Sequence, residues 1–205
     1  MTPTVITKKQ ARDKTNRQGE RISHIVIHAT AGTDSLAWLM GNSAQTSIHV
    51  LIKKDGLCYQ MVPDEWGANH VGFSKIVRDG IIYTRFSTRN CNQITLGIEL
   101  ENLNNGKDPY PEVQLRSCAW WIDHWEETHG PLTLVMHRTI DTQGKSDARG
   151  IELPDITRYS ARSNTPPTPE PVPRGIPILG SPRATVDQAA QFLHGRTSPT
   201  YTEQD

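Results

Sequence analysis

Met136-His137-Arg138-Thr139-Ile140-Asp141-Thr142-Gln143-Gly144-Lys145-Ser146-Asp147 is the stretch around which the rest of the chain is organised. The apolar run before it, Leu132 to Met136, predicts a short buried strand that ends in an imidazole. Lys145 follows His137 by eight residues, and Asp147 stands two further on, on a loop with Gly144 and Gly150 as hinges. A neutral histidine and an ionised aspartate are both good zinc ligands, and a nearby ammonium suits a developing oxyanion. One histidine and one aspartate do not make a site, so a third ligand and a general base have to come from elsewhere in the chain.

Upstream, Ile22 to Ile27 predicts a central strand with His28 at its C-terminal end. The turn Ala29 to Gly32 follows, then a short helix Ser35–Met40 capped by Thr33 or Asp34 and burying Leu36, Leu39 and Met40. Ser47–Ile52 and Leu57–Val62 flank Asp55-Gly56, a hairpin signal that makes them antiparallel neighbours. From Asp64 to Cys91 the periodicity fails, and a long ordered loop carrying Trp66, Asn69 and His70 is expected there; such loops tend to be functional. The longest helix is expected from Pro111, at its first position, to about Thr128. Leu115, Cys118, Ala119, Ile122 and Trp125 fall on one of its faces, which assigns Trp120, Trp121 and Trp125 to packing rather than to a ligand platform.

Ile94 to Leu100 resumes as a strand, with the run Gly97-Ile98-Glu99-Leu100-Glu101 at its end. Alternation puts Glu99 and Glu101 on one face, and buried, unpaired carboxylates are expensive. Two readings stay open: an open sheet face with two solvated acids, or the floor of a cleft in which Glu99 is a base beside a cation.

The chain has 205 residues, room for one ordinary domain plus extras or for two small ones. Its 22 basic residues balance its 22 acidic ones, so there is no electrostatic footprint for nucleic acid or an anionic membrane. No apolar run approaches the ~20 residues of a membrane span. Residues 1–20 read as a solvated lead-in without the apolar core of a signal peptide, so synthesis in the cytoplasm is expected, and any action outside a membrane would need another export route. Cys58, Cys91 and Cys118 form no CxxC pair and are expected as buried free thiols. Prolines 166, 167, 169, 171 and 173 mark a stiff linker over 161–179. Past it, Thr185-x-x-Gln188 begins one amphipathic helix in a C-terminal segment, 180–205.

Five motifs taken in series carry a resemblance. Ile25 to Thr30, Ser47 to Ile52, Asn69 to Gly72, Leu96 to Asn102, and His137 to Asp147 together look like the type 2 N-acetylmuramoyl-L-alanine amidases. That family includes phage endolysins, bacterial amidases and peptidoglycan recognition proteins. The resemblance covers residues 20–150 and implies an α/β fold over 21–160, a single mixed central sheet flanked by helices. It implies zinc held by His28, His137 and Asp147, Glu99 as catalytic carboxylate and Lys145 as the transition-state lysine. His70 falls where the family has His-Ala-Gly in the groove wall, though here the run is His70-Val71-Gly72. His49 matches a family histidine on the second strand, in a supporting role or within the binding groove. Trp66 is expected in the groove that takes glycan or peptide. The chain departs from the family beyond the last ligand, with Asp147-Ala148-Arg149-Gly150 where Pro-Gly is usual, so the loop there is expected to take another path.

The function implied is zinc-assisted hydrolysis of the amide between N-acetylmuramic acid and L-alanine, on peptidoglycan or a muropeptide, in a phage-type endolysin. The rivals are a cytosolic muropeptide-recycling amidase, a non-catalytic peptidoglycan-binding module and a structural component of a phage particle.

Overall fold

The computed structural model describes residues 2–7, 14–41, 46–85 and 87–164. The proline-rich run and the C-terminal helix expected from the sequence lie outside the described residues. In chain order the elements are β1 (Val5–Thr7), β2 (Lys14–Asn16), β3 (His24–Ala29), α1 (Ser35–Met40), β4 (Val50–Ile52) and β5 (Cys58–Gln60). Then come β6 (Trp66–Ala68), β7 (Lys75–Arg78), β8 (Ile81–Thr84), α2 (Cys91–Ile94) and β9 (Thr95–Leu100). The last are α3 (Glu112–His129), β10 (Thr133–Met136), α4 (His137–Ile140) and α5 (Leu153–Thr157).

Six strands form one mixed sheet in the order β1-β5-β4-β9-β3-β10. β4, β9, β3 and β10 run parallel to their neighbours, while β5 returns antiparallel to β4 across the Asp55-Gly56 turn, as expected. β3 is buried along its whole length, the condition of a strand covered on both faces. Its odd-numbered positions Ile25, Ile27 and Ala29 join Val50, Ile52, Leu96, Ile98 and Leu100 in one apolar layer. α3 covers that layer with Leu115, Cys118, Ala119, Ile122 and Trp125. Gln114, fully buried, ties the helix to the strand ends by donating from Nε2 to the carbonyls of Ile52 (3.0 Å) and Glu101 (3.1 Å). The opposite face presents Val26 and His28 of β3 and Gly97 and Glu99 of β9, and there the site is built.

Several expectations change. Pro111 is the extended cap of α3 rather than its first helical residue. Met40 is 42% exposed, so of the three α1 residues Leu39 is the one in the core and Leu36 packs against it partly buried. The segment 64–91 is not a loop throughout, because β6 pairs with β2 and β7 pairs with β8. Asp79-Gly80 joins β7 to β8 with φ of 53° and 76°, the positive pair that a tight two-residue hairpin turn requires. Glu101 does not share Glu99's surroundings: it is buried against Lys53 and accepts from the backbone N–H of Lys54 at 3.3 Å.

The lead-in is also not solvated throughout. β2 runs antiparallel to β6, and Arg17 just after it is 7% exposed. Its guanidinium donates to five carbonyls, those of Asp64 (2.7 Å), Trp66 (2.8 Å), Gln93 (2.7 Å), Thr95 (3.1 Å) and Asn92 (3.4 Å). Burial pushes its pKa down to about 10, with Asp64 and Glu65 opposing the shift, so it stays charged at neutral pH. One planar fork joins β6, α2 and the start of β9, which an ammonium could not span. Arg17→Ala is expected to lower stability by roughly 3 kcal/mol or more, with Arg17→Lys recovering little, as measured by urea unfolding.

Candidate functional site

Strand periodicity and one strand crossing bring the polar groups together. His28 is the last even-numbered position of β3 and faces away from α3, and β10, parallel to β3, delivers His137 beside it at the start of α4. The imidazole centroids of His28 and His137 lie 4.4 Å apart. The loop after α4 returns Asp147 between them, with Oδ2 at 2.8 Å from His137 Nδ1 and 3.2 Å from His28 Nδ1. The three side chains are buried, and one ligand atom from each lies within 4.8 Å of the others.

Two small devices shape that loop. Asp141 Oδ2 accepts from the N–H groups of Gln143 (2.6 Å) and Lys145 (2.9 Å), the Asx-type turn that starts the return. Arg138 holds the far end, donating from its backbone N–H to the Asp147 carbonyl (2.9 Å) and from its guanidinium to the carbonyls of Ala148 and Ile151. The path beyond Asp147 thus lies under Arg138. Neither residue is marked by the spacing of ligands, although Asp141-x-x-Gly144 is a recognisable turn signal.

The electrostatics favour a cation at the centre. Burial pushes the Asp147 carboxyl up, but hydrogen bonds from His137 and His28 outweigh it and hold the group well below the usual carboxylate range. Burial lowers His28 to about 4 against the opposing pull of Asp147, which leaves a neutral imidazole able to offer a lone pair. A tetrahedral zinc with ~2.0–2.1 Å bonds places its donors roughly 3.3 Å apart. Two imidazole nitrogens and a carboxylate oxygen at these separations fit that ion in chemistry and in spacing.

The trio floors a cleft of about 1200 Å³, lined also by Glu99, Lys145 and Trp38. Glu99 pairs in register with His28. Burial, with Asp147 adding to it and Lys145 opposing, pushes the Glu99 carboxyl up to about 8. Of the two readings of this strand, the cleft floor is the observed one for Glu99. Trp38, 57% exposed on α1, carries no distinguishing pattern in the sequence.

The three expected groove residues stand differently. His49 is fully buried and accepts the Gly97 N–H at Nδ1 (3.0 Å), out of reach of a substrate. Trp66 does not line the cleft; its ring lies under the Lys14 ammonium at 4.3 Å. His70 touches the cleft wall, but both its ring nitrogens are engaged, Nδ1 with His28 (2.8 Å) and Nε2 with Thr95 (3.0 Å). Of these three residues His70 alone lines the cleft, with its ring nitrogens engaged inside the protein.

A family model for N-acetylmuramoyl-L-alanine amidases matches residues 18–150. The chain belongs to this family. Its enzyme class is therefore that of an amide hydrolase acting on peptidoglycan, and the mixed sheet with flanking helices is the family's fold. Among solved structures, a selenomethionine derivative of AmpD is 19% identical with a TM-score of 0.60, covering 77% of this chain and 94% of that one. The N-acetylmuramyl-L-alanine amidase AmiD from E. coli, solved with the substrate anhydro-N-acetylmuramic acid-L-Ala-D-γ-Glu-L-Lys, is 27% identical with a TM-score of 0.51. AmpDH3 from Pseudomonas aeruginosa, in complex with anhydromuramic pentapeptide, is 21% identical with a TM-score of 0.54. These alignments cover 68% and 69% of this chain but only 55% of AmiD and 60% of AmpDH3. No curated protein sequence matches the chain.

A pH test isolates Glu99 in the metal-free protein. Its folded carboxyl titrates near 8 against an ordinary 4.5, so the folded state keeps a proton that the unfolded chain releases between those values. The stability from this group is complete below about 4.5 and is lost as pH rises through 8. Glu99→Gln is expected to lose less stability than wild type between pH 5 and pH 8 in urea unfolding with a chelator present; parallel losses would contradict the assignment.

Proposed function

We propose that His28, His137 and Asp147 hold a zinc ion and that Glu99 and Lys145 carry the hydrolysis of the N-acetylmuramoyl–L-alanine amide. The observation that carries this reading is the convergence of two imidazole Nδ1 atoms and one carboxylate oxygen on the floor of a cleft that also holds an acid and an ammonium. Bound there, zinc would polarise the scissile carbonyl and acidify a water towards pKa ~7.

Glu99 supplies the proton traffic. A cation near its carboxyl favours the ionised form, which accepts a proton at Oε from the attacking water. As the water oxygen bonds to the lactyl carbonyl carbon and the C–N bond breaks, that proton passes to the alanine nitrogen. The products are a free lactyl carboxylate and a new L-alanine amino terminus. Lys145 places its ammonium against the oxyanion of the tetrahedral intermediate, where loss of one donor costs ~10²–10³-fold in rate.

Two variants separate binding from catalysis. Asp147→Ala is expected to hold less than stoichiometric zinc and to release no new alanine amino termini from purified cell wall. Lys145→Ala should keep the zinc and lose about 10²–10³-fold in rate. Full activity in Asp147→Ala would refute the ligand set, and loss of zinc in Lys145→Ala would refute the division of labour.

For the biological setting we take the phage-type endolysin, supported by the proline-rich run that separates residues 21–160 from a short C-terminal segment. A second reading, a muropeptide-recycling amidase, is favoured by the likeness to AmiD, whose complex holds an anhydro-muramyl tripeptide. Turnover of intact sacculi well above that of soluble anhydro-muropeptides is the expected result. The reverse preference would establish the recycling role.

A further inference from the structure

The geometry assigns His70 as the positioning residue that fixes the tautomer and the ring orientation of His28. This rests on the metal reading above and concerns how the chain prepares one of its ligands. His28 turns Nδ1 toward Asp147 at 3.2 Å; a bound ion would replace that hydrogen bond, so in the zinc-loaded protein this nitrogen must carry a lone pair. A neutral imidazole then keeps its proton on Nε2, which lies 2.8 Å from His70 Nδ1. Donation along that line obliges His70 to be unprotonated at Nδ1 and to carry its own proton on Nε2. That nitrogen is 3.0 Å from Thr95 Oγ1, which accepts it. One assignment of protons satisfies the whole line from the ligand to the hydroxyl, and no other assignment leaves His28 Nδ1 open. The second imidazole ligand is held by the same logic, with His137 Nε2 directed at the Val71 carbonyl at 3.3 Å. Metal-binding histidines are oriented in this way by the partner of their other nitrogen.

The surroundings are shaped to keep His70 in that place. A Cβ on Gly97 would stand 2.6 Å from His70 Nδ1 and 2.7 Å from its Cε1, so the ring lies on strand backbone that only glycine leaves bare. Behind it, the Gly97 N–H donates to His49 Nδ1 (3.0 Å), which leaves the His49 proton on Nε2 facing the Trp66 carbonyl (3.0 Å). The His49 ring stands edge-on to His70 with centroids 5.6 Å apart. On the backbone side, Asn92 Oδ1 accepts the N–H of His70 at 3.2 Å. His70 itself is 6% exposed. A residue that merely lined the groove would need neither the glycine beneath it nor two engaged ring nitrogens.

The test reads metal affinity and tautomer as well as activity. Zinc affinity is measured by competition with a chromophoric chelator for wild type, His70→Phe, Gly97→Ala and Asp147→Ala. Imidazole ¹⁵N–¹H correlation spectra of the zinc-loaded wild type locate the His28 proton. His70→Phe keeps an aromatic ring and removes the acceptor, so zinc affinity is expected to fall by about 10–100-fold while the metal-free melting temperature holds. Gly97→Ala, which displaces the ring and leaves every ligand untouched, is expected to weaken zinc as well. In wild type the His28 proton should sit on Nε2. A proton on Nδ1 overturns the inference without need of any variant. Unchanged zinc affinity in His70→Phe beside a lost one in Asp147→Ala overturns the inference alone, whereas unchanged affinity in both overturns the metal reading.

Discussion

The register between β3 and β9 is the constraint on which the rest depends. His28 lies opposite Glu99, and Val26 lies opposite Gly97, in the centre of a sheet buried on both sides. With a side-chain period of two, that single register sends Ile25, Ile27, Ile98 and Leu100 under α3 and the polar set to the other side. A slip by one residue would bury the acid and the imidazole beneath the tryptophan helix and expose the isoleucines. The same hydrophobic pattern that drives the core together therefore aims the functional side chains.

What gathers on the polar side is a set of groups whose charges are arranged by each other. Asp147 stays ionised because two imidazoles donate to it, while Glu99, at about 8, has burial and Asp147 pushing it towards the neutral acid. Burial lowers His28 to about 4 and His49 to about 3. The site thus sets the neutral His28 imidazole beside one fixed negative charge, the electrostatic complement of a divalent cation. Polar groups placed so deep are tolerable only because almost every ring nitrogen has a partner.

Much of this was legible in the sequence. The strands around His28 and Glu99, the amphipathic face of α3 and the Asp55-Gly56 hairpin follow from periodicity and turn chemistry, and the motif series located the candidate ligands through their order along the chain. The missed features have different physical origins. Asp79-Gly80 was a readable hairpin signal, but β7 and β8 are short and half exposed, with Val77 at 57% and Ile82 at 51%, and so show little alternation. Arg17 was unreadable because its partners are carbonyls, which every residue has and which leave no mark in the sequence. His70 and His49 sat in recognisable motifs, yet only the fold shows which atoms their ring nitrogens meet.

Arg17 has a consequence for where the catalytic unit is cut from the chain. The likeness to the family begins at residue 18, and composition suggests a start near 21, so a fragment designed on either ground would omit the guanidinium. The five carbonyls it serves would then face a hollow at the junction of β6, α2 and β9, directly behind His49. Boundaries drawn from shared motifs track the chemistry a family has in common, whereas the packing behind His49 rests on a guanidinium that stands just before the matched residues.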